Sequence, residues 1–291
     1  MGALRRLAAF LAGGFLLVPQ VCALAQTQSA LPREPAAQTK SLFAQSAVQV
    51  LEREFTSSDI SFLLLDARSG VLLSSRWEEP EKPIPLGSLV KPFTALAYAE
   101  AHGFHYPVHF CRGEASGCWQ IRGHGKLDIV TAIAQSCNSY FRVLAAALSG
   151  EQVESVARRF GLEAPDAEIS GPPLMGLGEG WRIAPLHMAR AYLELVRRRE
   201  QPGVRELLAG MALSARQGTG AGVGHALQHA DALVKTGTAP CTHAHPAPGD
   251  GFVVALMPAA QPELLLLMRV HGVPGATAAV TAGRMVHRLE E

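Results

Sequence analysis

The 291 residues carry 26 Lys and Arg against 25 Asp and Glu, a net charge of +1 at neutral pH. So even a balance gives no compositional support for a polyanionic partner and argues against nucleic-acid binding. With 48% hydrophobic residues, no repeat of roughly 20–50 residues and no charged tail, the chain has apolar material for one large domain or two modest ones, which argues against a solenoid or a disordered polyelectrolyte.

In chain order, "MGALRR" is a basic n-region, "LAAFLAGGFLLVPQV" is an apolar run, and Ala23 and Ala25 supply the small residues of a signal-peptidase site. The apolar run is shorter than the ~20 residues that span a bilayer. The expectation is therefore a signal peptide over residues 1–25 and an exported protein, periplasmic or otherwise extracytoplasmic, with an uncleaved membrane anchor as the alternative. "PQVC" lacks the small residues that would mark a lipoprotein. Residues 26–37 are polar, bear two prolines and read as a flexible lead-in to a single domain over 38–291. Export permits disulfides among the four remaining cysteines. Cys111 and Cys118 flank the turn-rich "CRGEASGC", so their pairing is expected to close a short loop. Their spacing misses the two to four residues usual for metal ligands, and no metal is predicted. Cys137 and Cys241 are left open as buried thiols or a second bridge.

Leu42, Phe43, Ala47, Val50 and Leu51 recur at helical intervals, so 39–55 reads as an amphipathic helix. "ISFLLLDARSGVLLSSRW" is two β-type runs around a turn, a hairpin. "FTALAYAEAHG" reads as a helix stopping at Gly103, and further helices are predicted over 128–148, 151–161 and 184–199. "DALVKTGTA", "DGFVVALMP" and "PELLLLMRVHG" read as strands, and "TAAVTAGRMVHRLEE" as a closing helix. Strands at both ends around a helical middle predict an α+β fold, with an antiparallel sheet flanked by helices and a helical subdomain inserted.

Three short segments carry chemistry. Ser88 and Lys91 in "PLGSLVKP" stand one helical turn apart, with Pro92 tolerated only in a first turn, so Ser88 belongs at a helix start. There the unpaired N–H groups and the positive end of the helix dipole favour a neutral lysine and a serine that carries negative charge. Lysine is rare in this chain, with five against 21 arginines among the 26, and unlike arginine it can give up its proton. Such a spacing alone would arise about once by chance in a chain of this length. "QSCNSYF" places Ser136 and Asn138 within a predicted helix; a hydroxyl relays protons and a carboxamide grips an amide, though a solvated helix face is the more frequent meaning of such a pair. "LVKTGTAP" is sharper: Lys235, Thr236, Gly237 and Thr238 lie on a strand whose interior glycine marks close approach by a ligand or another backbone.

Ser-x-x-Lys, Ser-x-Asn and Lys-Thr-Gly in this order are shared by serine β-lactamases and penicillin-binding proteins. From about residue 58 to the C-terminus the chain resembles the transpeptidase domain of penicillin-binding proteins, also in "GHGKLDIVTAIAQSCNSYF", "GLGEGWRIAPLHMARAYLEL" and "DGFVVALMPAAQPELLLLMRV". The resemblance implies a β-lactamase/transpeptidase-like fold and a serine acyl-transferase acting on peptidoglycan stem peptides and β-lactams, with no cofactor and with other cell-wall proteins as candidate partners. It implies Ser88 as nucleophile, Lys91 as its base, Ser136 as proton relay and Lys235 as the source of the site's field. Asn138, Thr236, Gly237 and Thr238 would bind substrate, and the backbone N–H groups of Ser88 and Thr238 would hold the oxyanion. The short stretch between Asn138 and Lys235 is closer to class D β-lactamases, but those usually carry valine where this chain has Asn138. A β-lactamase and a non-catalytic sensor or cell-wall binding module are the rival readings. "GTGAGVGH" at 218–225 does not fit a dinucleotide motif and reads as a mobile loop. His124 reads as a structural histidine that satisfies backbone groups rather than a catalytic base, His243 and His245 as exposed loop histidines with a metal site as the lesser alternative, and Glu179 as a solvated-turn residue or a support of the site.

Overall fold

The computed structural model describes residues 49–166, 168–241 and 248–290; the expectations for 1–37, most of the first predicted helix, and His243 and His245 lie outside them. The hairpin forms as expected from Ile60–Asp66 (β1) and Leu72–Arg76 (β2). It turns because Asp66 Oδ1 accepts the backbone N–H groups of Arg68 and Ser69 at 3.1 and 2.7 Å, while Gly70 adopts φ 75°. Two small ladders follow, β3 (Ile84–Pro85) with β6 (Arg182–Ile183) and β4 (His109–Cys111) with β5 (Gly125–Leu127). The three C-terminal strands are β7 (Leu233–Ala239), β8 (Asp250–Met257) and β9 (Leu264–His271). The main sheet runs β2-β1-β9-β8-β7, antiparallel throughout, so the first strand pairs with the last and β7 forms an edge.

The apolar runs are continuous because both faces of this sheet are covered. Phe62, Leu64, Val253, Ala255, Leu266 and Met268 face a core closed by Leu51, Phe55 and the C-terminal helix. Leu63, Leu65, Val254, Leu256, Leu265 and Leu267 face the other core, shared with the helical subdomain. The labelled helices are α1 (Lys91–Ala101), α2 (Ile129–Ala134), α3 (Asn138–Ala146), α4 (Gly150–Arg159), α5 (Pro185–Arg197), α6 (Val204–Gln217), α7 (Ala221–Gly224) and α8 (Gly275–Glu290). Among the described residues no helix is long and apolar enough to cross a membrane.

Two expectations are corrected. The helix predicted over 128–148 is broken into α2 and α3. Cys137 N donates to Ala132 O at 3.0 Å and Ser136 N to Ile133 O at 3.1 Å, a Schellman ending with Ser136 left-handed at φ 49°. Glycine usually fills that position, and its absence hid the break. "GTGAGVGH" is no loose loop either: it holds α7, and a Cβ on Gly222 or Gly283 would lie 2.7 Å from Val280 N or 2.1 Å from Gly222 O. Those glycines let α7 and α8 cross backbone to backbone.

Candidate active site

Gly87–Val90 form a 3₁₀ turn that runs directly into α1, with Lys91 and Pro92 in its first turn. Ser88 is half-buried at this helix start, as its spacing predicted. Glycine brings the turn against β7: a Cβ on Gly87, whose φ is 58°, would lie 2.2 Å from Thr238 O, and one on Gly237 would lie 2.5 Å from Leu86 O. The glycine of Lys-Thr-Gly is therefore spent on approach of another backbone, the segment that carries Ser88.

The break between α2 and α3 points its polar groups at the same place. Lys91 Nζ donates to Asn138 Oδ1 at 2.6 Å and to Ser136 O at 2.8 Å, and lies 3.3 Å from Ser136 Oγ. From the opposite side Lys235 Nζ donates to Ser136 Oγ at 2.9 Å and to its neighbour Thr236 O at 2.6 Å. One hydroxyl thus bridges two lysines, both 0% exposed. Among the described residues no carboxylate pairs with either amine. Burial therefore acts on both: it pushes Lys91 down to about 7, with Arg142 opposing the charge further and the thiols of Cys137 and Cys118 favouring it. Lys235 falls well below its ordinary value through burial and then through the positive field of Lys91.

Two of the expected substrate-binding residues have protein partners of their own. Thr236 is buried and donates to Thr219 Oγ1 at 2.6 Å, while Thr238 is exposed and accepts from Gly275 N at 2.9 Å. Thr219 lies in the segment read as a loop, and nothing in its local sequence pointed to the site. Trp119 was missed too; its Nε1 donates to Ser136 O at 3.3 Å, so that carbonyl is shared with Lys91. Glu179 pairs with Arg182 on the surface, the role its turn suggested. His187 lies 2.8 Å from Glu163 Oε1, and Glu163 also accepts from Ala184 N at 3.2 Å, fixing the start of α5.

The model of the penicillin binding protein transpeptidase domain matches residues 60–289. This chain belongs to the penicillin-binding protein transpeptidase domain family. Penicillin binding and D,D-transpeptidase-type chemistry on peptidoglycan follow from that membership. No curated protein matches the chain in sequence. Among solved structures it is similar to Pseudomonas aeruginosa PBP2 in complex with WCK 5153, at 17% identity and TM-score 0.68, covering 86% of this chain and 73% of that one. The D,D-transpeptidase domain of an Eggerthella lenta peptidoglycan glycosyltransferase is similar at 14% identity and TM-score 0.68, with 85% and 81% covered. The transpeptidase domain of Burkholderia pseudomallei penicillin-binding protein 3 follows at 16% identity and TM-score 0.63, with 87% and 94% covered. At these identities the likeness shows the fold, and it bears out the expected transpeptidase-like α+β architecture.

Beside the two buried lysines the structure gathers Cys111, Cys118, Cys137 and His124, whose donor atoms all lie within 4.8 Å of one another. The four cysteines among the described residues are free thiols, so the expected Cys111–Cys118 bridge is not formed here. Instead of meeting backbone groups, His124 turns Nδ1 to two of the sulfurs, at 3.6 Å from Cys111 Sγ and 3.5 Å from Cys118 Sγ. A second group, Cys241, Asp250 and His271, closes the far end of β7. There His271 Nδ1 is 2.9 Å from Asp250 Oδ1, and the Arg269 guanidinium feels the Asp250 charge.

Proposed function

We propose that the chain is an exported D,D-transpeptidase or carboxypeptidase that acylates Ser88 with the penultimate D-alanyl carbonyl of a peptidoglycan stem peptide. The observation that carries this reading is the buried amine of Lys91, which burial pushes down to about 7, one helical turn after Ser88 and shared between Ser136 and Asn138. In its neutral form Lys91 takes the Ser88 hydroxyl proton as Oγ attacks the carbonyl carbon. The oxyanion forms between the N–H groups of Ser88 and Thr238, a reading supported by the close approach of Gly87 to the Thr238 backbone. Collapse breaks the C–N bond, and the Ser136 hydroxyl, fed by the lysine on either side, protonates the leaving amine. An acceptor amine or water then attacks the ester and restores Ser88.

Asn138 divides its side chain in this scheme: Oδ1 is taken by Lys91, so the Nδ2 group is what meets the substrate amide. Lys235 sets the field of the site while donating to Ser136 Oγ, and Thr238, the exposed hydroxyl of β7, receives the substrate carboxylate; buried Thr236 acts by fixing β7 to Thr219. Because one similar structure is a complex of Helicobacter pylori PBP2 with MreC, other cell-wall proteins are proposed partners. The test is incubation of the chain with benzylpenicillin followed by mass spectrometry. A single penicilloyl adduct on Ser88 that outlasts many minutes is expected. Turnover of a chromogenic cephalosporin at several per second would instead make the chain a β-lactamase, and a folded protein with no adduct would make it a binding module.

A further inference from the structure

We propose that Cys111, Cys118, His124 and Cys137 bind one zinc ion, which locks the loop 111–124 onto the break that carries Ser136 and Asn138. Zinc bonds sulfur at about 2.3 Å and imidazole nitrogen at about 2.0–2.1 Å, so tetrahedral donors stand about 3.8 Å apart for two sulfurs and about 3.6 Å for sulfur and nitrogen. The structure has 3.7 Å between Cys118 Sγ and Cys137 Sγ, and 3.6 and 3.5 Å from His124 Nδ1 to Cys111 and Cys118. A disulfide needs about 2.05 Å, would consume two of three converging thiols, and would leave the imidazole unexplained. His124 Nε2 is buried and without a partner among the described residues, a cost that a bond made at Nδ1 would offset.

Sequence spacing concealed the set because its members come from four places. Cys111 ends β4, Cys118 follows a 3₁₀ turn at Gly113–Ser116, His124 precedes β5, and Cys137 caps α3. Cys111, Cys118 and Cys137 are buried, whereas the loop between the first two donors and His124 is thin and exposes Trp119 at 51% and Ile121 at 74%. Such a loop has little core of its own, which is where a metal staple contributes most. Four protein ligands leave no open position, so the ion is structural. On binding, the three thiols release their protons to solvent as S–Zn bonds form, and neutral His124 donates its Nδ1 lone pair.

The link to the active site is direct. Cys137 stands between Ser136 and Asn138, which contact Lys91; Trp119, next to Cys118, donates to Ser136 O, and Arg142 Nε donates to Gly117 O at 3.2 Å. The zinc would therefore act as a positioning element, and this part rests on the acyl-transfer reading above.

The experiment is reconstitution of the purified chain with zinc under reducing conditions, followed by elemental mass spectrometry and thiol titration after denaturation. One zinc per chain and four titratable thiols outside the signal segment are expected, and cobalt in its place should give thiolate charge-transfer and tetrahedral d–d absorption. His124→Ala should lose most of the metal, and His124→Cys should regain it with a shifted cobalt spectrum. Ser88→Ala should keep the zinc while losing the penicilloyl adduct, which separates failure of the metal site from failure of the acyl-transfer reading. Substoichiometric zinc in the reconstituted chain, or a disulfide among Cys111, Cys118 and Cys137 mapped in the exported protein, would overturn the proposal.

Discussion

The hydroxyl of Ser136 is approached from two sides that are built in different ways. On one side β7 delivers Lys235 from a regular ladder, paired with β8 from Leu233↔Leu256 through Ala239↔Asp250. On the other, the break between α2 and α3 delivers Ser136 and Asn138 from a left-handed residue outside any ladder. A strand in register is fixed by its backbone bonds along its length, and shifting it by one residue would turn every side chain over. The break has no such repetition. It depends on single contacts from Trp119, Lys91 and the cysteine cluster, so its geometry is open to point substitutions that the strand would absorb.

The sharpest way to break this comparison is Lys91→Arg, because Lys91 contacts both Ser136 and Asn138 and faces Lys235 across the Ser136 hydroxyl. Guanidinium cannot take a proton, so acylation by a fluorescent penicillin should fall about 10³-fold or more with the circular dichroism unchanged; a preserved rate removes Lys91 from the mechanism. Ser136→Gly and Ser136→Ala both delete the bridging hydroxyl and should each slow acylation about 10²-fold or more. They should differ in stability: glycine tolerates φ 49°, alanine does not, and the glycine variant should be the more stable by about 1 kcal/mol in urea unfolding. Equal stabilities would mean the break is not strained.

The pH dependence follows from the buried amine. Below about 7 Lys91 is increasingly protonated and cannot accept a proton, so the acylation rate should fall about tenfold for each further unit of acidity and level off above that value. A profile flat from pH 5 to 8 would contradict a lysine base. The smallest effect belongs to Trp119→Phe, which removes one hydrogen bond to Ser136 O while keeping the ring. A loss of about 1 kcal/mol, roughly fivefold in acylation, is expected with unchanged binding of substrate carboxylate. If this variant matches the parent, the break is held without the loop.

Much of this was legible in the sequence. The hairpin, the three C-terminal strands and the closing helix were marked by turn residues and apolar runs, and Ser88 and Lys91 by their spacing beside Pro92. The break at Ser136 was not, because a serine occupies the position where glycine would have announced it. Thr219, Trp119 and the cysteine–histidine cluster were missed for another reason: each reaches the site from a distant segment, with no local pattern.

By itself the sequence determined the kinds of element, the direction of the sheet and the residues able to exchange a proton, because periodicity, turn chemistry and side-chain acidity are properties of short stretches. Only the tertiary structure decided that two buried lysines share one hydroxyl, that Gly237 serves the Ser88 turn, and that three sulfurs and an imidazole converge. Burial and close approach depend on which distant segments pack together, and it is burial that turns an ordinary lysine into one able to give up its charge.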